Sequence, residues 1–176
     1  MKGHFGQSDP AHRLYLKGLE AITSMTHVRY TTTHQLVNEA ASCHEAGCYV
    51  AAAVICRGVL EAALHETYAW KKIDGKLSLE SSSLKLERLI EWAKNSSLLT
   101  DDEARVAHKI QDKGNFGAHL KQRIDAQYFE GKAPDEPYRL WIDQKESLDL
   151  LGKTVDLVIA LVKRVLEAES PERMSS

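Results

Sequence analysis

The sequence predicts an all-α fold, a helical bundle of about five helices. Two observations carry this expectation. Apolar residues recur at steps of three and four along several stretches, which is the period of one helix face. Only 4 prolines and 10 glycines punctuate the 176 residues, too few for a loop-rich or all-β chain. At 43% hydrophobic residues the chain has enough apolar surface for a real core, and its length is that of one domain.

The elements follow in order. Residues 1–33 read as a polar leader with a short helix over 13–27. The Tyr30-Thr31-Thr32-Thr33 run is β-branched, breaks helical character and offers a Thr as N-cap for the next helix. Residues 34–46 form that helix, with Leu36, Val37, Ala40 and Ala41 inward, and Gly47 ends it. Residues 48–71 are apolar nearly all round and predict a buried central helix. A polar connector with an Asp74-Gly75 turn leads to a helix over 83–94. Thr100 and Glu103 make a capping box for a helix reaching about Asp112, and helix resumes through Ile124. Residues 126–141 contain Pro134 and Pro137 and read as a long surface loop. The last helix, about 145–169, carries Leu148, Leu151, Val155, Val158, Val162 and Val165 as a sustained seam. Leu150, Leu157, Ile159, Leu161 and Leu166 widen it, which suggests one side packs internally and another meets a partner. The bundle therefore spans 34–169, followed by a polar tail over 170–176.

Composition excludes several functions. A formal charge of −2 gives no global drive toward nucleic acid or an anionic membrane, so any nucleic-acid contact must be local. The longest apolar run, residues 49–56, is too short to span a bilayer. Residues 1–10 lack the apolar core of a signal peptide, and 3 cysteines do not make a disulfide framework. A reducing cytoplasm is the expected compartment.

One segment stands out, Lys113-Gly114-Asn115-Phe116-Gly117-Ala118-His119, whose glycines interrupt the helical pattern. Read as continuing helix, it puts Asn115 and His119 four apart on one face with Lys113 nearby. A cation, an amide and an imidazole then gather round one phosphate. Lys113 stabilises developing charge, His119 moves a proton and Asn115 orients a partner. That set suits metal-independent RNA cleavage by a 2′-hydroxyl. Read structurally, Gly114-Asn115 is a helix break, Phe116 a core anchor, and His119 bonds a carbonyl. Arg105, His108, Lys109, Lys121 and Arg123 flank the segment as a locally basic neighbourhood or a solvated face.

Arg57 and Glu61 lie four apart on the central helix, on the face of Val50, Val54, Leu64 and Tyr68. Opposite charges on a buried face pair, and loss of either should destabilise strongly. They read as a structural ion pair or as ligand-binding groups. Cys43, His44 and Cys48 cluster, but the cysteines are five apart, outside zinc-knuckle spacing, so no metal or other cofactor is expected and buried free thiols are.

Residues 51–61 (Ala-Ala-Ala-Val-Ile-Cys-Arg57-Gly-Val-Leu-Glu61), taken with 110–119 (Ile-Gln-Asp-Lys-Gly-Asn115-Phe-Gly-Ala-His119), resemble the HEPN superfamily, the higher eukaryotes and prokaryotes nucleotide-binding domains. The likeness is to its bacterial, defence-associated branch and covers about 34–165. It implies a helical bundle that forms a homodimer. In catalytic members an Arg and a His, four to six residues apart, form a metal-independent RNase site at the dimer interface. His119 and Asn115 match that signature. Lys113 stands where Arg is expected, or the Arg position falls at Gln111. Lysine does not make the bidentate fork that arginine offers a phosphate. The expected function is binding of RNA or nucleotide, through a face including Arg57, Glu61, Lys121 and Arg123, with or without cleavage. The alternative is a non-catalytic module that binds a protein partner.

Overall fold

The structure, a computed structural model, describes residues 30–73, 85–118 and 142–168. Within them lie five helices and no strand: α1 (Thr31–Glu45), α2 (Tyr49–Ile73), α3 (Leu86–Asn95), α4 (Asp101–Ala118) and α5 (Gln144–Glu167). The all-α bundle expected from periodicity is what the described residues form. The leader, the 13–27 helix, the Asp74-Gly75 turn, the 126–141 loop and the tail lie outside the described residues, as do His119, Lys121, Arg123 and the resumed helix to Ile124.

The predicted central helix is central: α2 packs against all four of the others. Its small residues Ala52, Ala53 and Ala63 are fully buried and let neighbouring backbones approach, while Val59, Leu60, Leu64 and Tyr68 fill the space between. Tyr68 meets Trp92 of α3 edge to face, with ring centroids 5.0 Å apart. No described helix is long and apolar enough to cross a membrane.

Helix ends correct two expectations. The Thr run does not break helix, because α1 begins at Thr31 and no side chain of its own caps it. The cap comes from α2: the Glu66 carboxylate accepts from the Thr32 amide (2.9 Å), the Thr33 amide (3.4 Å) and the Thr33 hydroxyl (2.7 Å). A carboxylate at a helix N-terminus satisfies orphan amides and complements the dipole. Gly47 does end α1, with φ +77°. Its amide donates to the His44 carbonyl (3.0 Å) and the Cys48 amide to the Cys43 carbonyl (2.8 Å), the two bonds of a Schellman motif. The same motif closes α3, with Ser97 at φ +58°, its amide bonded to Lys94 (2.9 Å) and the Leu98 amide bonded to Ala93 (2.8 Å).

The Thr100 capping box forms as expected. The Thr100 hydroxyl accepts from the Glu103 amide (3.2 Å), and Glu103 Oε2 accepts from the Thr100 amide (2.7 Å). Glu103 does more than cap. Arg164, near the end of α5, forks onto both of its oxygens (2.7 and 2.9 Å) and also donates to the Leu98 carbonyl (2.9 Å). Burial alone would raise the Glu103 carboxyl, but the hydrogen bonds from Arg164 and Thr100 outweigh it and hold it below the usual carboxylate range.

The α5 seam is consumed inside the bundle to a greater degree than its width suggests. Leu150, Leu151, Val155, Leu157, Val158, Leu161, Val162 and Val165 are all buried among the described helices. Leu148, Ile159 and Leu166 are the partly covered remainder.

Candidate functional site: the α2–α4 joint

The segment around Gly114 does not interrupt helix. α4 runs on past Asp112 through Gly114 and Gly117 to Ala118. Gly114 is buried, and the reason for glycine is distance. A Cβ there would lie 2.3 Å from Cβ of Arg57, and 3.0–3.1 Å from its Cδ and Cγ. The missing side chain lets α4 press directly onto the Arg57 stem of α2. Two stretches more than fifty residues apart in the chain are thereby brought to one joint.

Arg57 Nη1 lies 3.3 Å from Glu61 Oε2, with the side chains 30% and 33% exposed. This corrects the expectation of a fully enclosed ion pair. At a third exposure the pair is screened, and losing one partner costs less than the roughly 3–5 kcal/mol of a buried pair. The Arg57 Nε is nevertheless buried, and no described residue bonds it. The guanidinium thus has one carboxylate contact and an unused donor.

Of the residues flanking Gly114, Lys113 forms an ion pair with Glu146 in the first turn of α5. Asn115 is half-buried beside the joint. Of the flanking basic residues that are described, Arg105 pairs with Asp102, His108 Nε2 lies 3.3 Å from Glu91, and Lys109 is exposed. His119, Lys121 and Arg123 fall outside the described residues.

Beside Lys113 lies a cavity of about 260 Å³ between α4 and α5. Val106, Ile110, Ile142 and Leu150 line it with the Lys113–Glu146 pair. Sequence reading missed this cleft and Glu146, whose partner is 33 residues away with no local signal to connect them.

The Cys43, His44, Cys48 cluster also resolves differently from the expectation of buried thiols. Cys48 is exposed, Cys43 half-covered and Cys56 buried. His44 is a buried structural residue: its Nδ1 lies 3.0 Å from the Ser147 hydroxyl of α5 and its ring tilts against Tyr49.

A helical bundle with an arginine–carboxylate pair clamped under a glycine of the neighbouring helix is the class that fold and site define. Within it, the chain belongs to the family described as a domain of unknown function (DUF4145), whose model matches residues 38–132. The match includes Arg57, Glu61 and the whole 113–119 segment and stops before α5. No curated protein and no solved structure matches the chain.

Proposed function

We propose that this protein is a HEPN-like domain of the bacterial cytoplasm, acting in defence or stress as a homodimer that binds RNA or a nucleotide. The binding face is built on Arg57 and Glu61 with residues 113–119, Lys121 and Arg123. One observation carries the reading: the two motifs behind the resemblance meet, Arg57 lying across Gly114. The Arg57 side chain stays 30% exposed beside that joint, and a partly open guanidinium suits a phosphate oxygen. In the catalytic form of this reading His119 exchanges the proton, Asn115 orients and Lys113 offsets charge on the phosphodiester.

The test is incubation of the purified protein with end-labelled RNA in excess chelator. Cleavage by wild type and none by His119→Ala is the expected result. Equal inertness of both ends the catalytic form. Binding is scored separately by titration at low salt, where Arg57→Gln should weaken affinity without loss of helical signal. No binding by wild type at any salt ends the RNA-binding form.

A second reading is favoured by a specific observation. Lys113, which in one of the two alignments of the HEPN resemblance stands at the arginine position, is engaged by Glu146. A non-catalytic module that binds a protein partner accounts for a site without its free cation. Inertness toward RNA together with a stable complex with a co-purifying protein would select it.

A further inference from the structure

The turn between α1 and α2 holds two cysteines in a geometry with its own chemistry. In a Schellman motif the third residue before the helix cap, here Ala46, and the second residue past it face each other across the turn, normally as an apolar contact. Here those positions are Cys43 and Cys48, tied by the 2.8 Å bond from the Cys48 amide to the Cys43 carbonyl. Standard bond lengths then limit their Cα atoms to about 6.7 Å apart or less, within the roughly 4.4–6.8 Å that a disulfide spans. Cys48 is exposed and Cys43 half-covered, so an oxidant reaches the first and the second waits beside it. No described group of three or more ligands competes for these thiols as a metal site.

We propose that Cys43 and Cys48 are a reversible dithiol site that closes to an intrachain disulfide in response to hydroperoxides. The Cys48 thiolate attacks the O–O bond of the hydroperoxide. An S–O bond forms, the O–O bond breaks, and the alcohol or water leaves with the proton. The Cys43 sulfur then attacks Cys48 Sγ: the S–S bond forms, the S–O bond breaks, and water leaves with the Cys43 proton. The two thiols lose two electrons and the hydroperoxide gains them. Burial, with Cys48 and Glu39 nearby, raises the Cys43 thiol above its ordinary range, so Cys43 is the poorer first nucleophile and the oxidant is met by Cys48. Cys56 takes no part: it is enclosed between α2 and α5, and burial pushes its thiol up to about 12. The bond would staple the last turn of α1 to the residue that leads into α2, the helix that carries Arg57.

Hydrogen peroxide treatment of the folded wild-type protein, followed by thiol counting and tandem mass spectrometry, decides it. Under denaturing, non-reducing conditions the expected product is a single chain, about 2 Da lighter, linked Cys43 to Cys48 with Cys56 free, and restored by dithiothreitol. Cys43→Ser should instead hold Cys48 as a sulfenic acid, about 16 Da heavier. The proposal is overturned if wild type keeps all its thiols, if Cys48 stops at the sulfenic acid with Cys43 present, or if the link joins two protomers or reaches Cys56. The decisive reading is on wild type, so it does not depend on how any variant folds.

Discussion

A methyl group at position 114 would stand 2.3 Å from Cβ of Arg57, closer than any real contact allows. Gly114→Ala therefore sets two effects against each other. Alanine gains about 1 kcal/mol of helix propensity over glycine. Overpacking costs roughly 1–3 kcal/mol, and here the obstacle is a Cβ that cannot swing away. The expected net is destabilisation by about 1 kcal/mol or more, seen as a lower urea midpoint; a raised midpoint would show that the helices are not in contact there. Ser97 presents the reverse case. It holds φ +58° at the end of α3, a conformation that costs a non-glycine residue about 1 kcal/mol or more. Ser97→Gly should stabilise by roughly 0.5 kcal/mol once glycine's larger unfolded-state entropy is subtracted. At both positions the residue type was readable from sequence and its reason was not. Gly114 suggests a break until the neighbouring helix is seen, and Asn95-Ser96-Ser97 marks a polar turn without showing which residue takes the left-handed conformation.

At the scale of elements, α4 and α5 are joined by ion pairs at both ends, Glu103–Arg164 at one and Lys113–Glu146 at the other. The first has a pH signature. Glu103 titrates lower in the folded chain than its ordinary value of 4.5, so the unfolded chain takes up the proton first as pH falls. Its stabilisation is complete above that ordinary value and is lost as pH drops through the folded one. The Tm gap between wild type and Glu103→Gln should thus be constant from neutral pH to about 5 and shrink below it. A gap that widens in acid would contradict the fork as its source. The second pair bears on function. If Glu146 holds Lys113 back from a phosphate, Glu146→Gln should tighten RNA binding and steepen its dependence on salt. Unchanged affinity would place Lys113 outside the binding face. Helix positions were legible because apolar periods survive in the sequence: α2 and α5 lie within two residues of their expected ends. The cap of α1 was not, because Glu66 reaches it from another helix.

For the whole molecule, the resemblance implies a two-fold dimer, and light scattering of the purified chain should give twice the monomer mass of 19.7 kDa. A monomer across the accessible concentration range would remove the interface on which a paired site depends. The described bundle makes α5 a weaker candidate for that interface than its apolar width suggested, since most of the seam is spent internally. The division between what could be read and what could not follows the range of the interactions. Fold class, the central helix and the Thr100–Glu103 box rest on residues a few positions apart, where backbone geometry alone sets who meets whom. Glu66 on Thr33, Lys113 on Glu146 and Arg164 on Glu103 join residues 33, 33 and 61 apart. Those partners were chosen by how the helices pack, and nothing local marks them. The 113–119 segment sits on that boundary: its polar residues were evident from spacing, while the contact that gives it meaning, Gly114 under Arg57, exists only because α2 and α4 close to backbone distance.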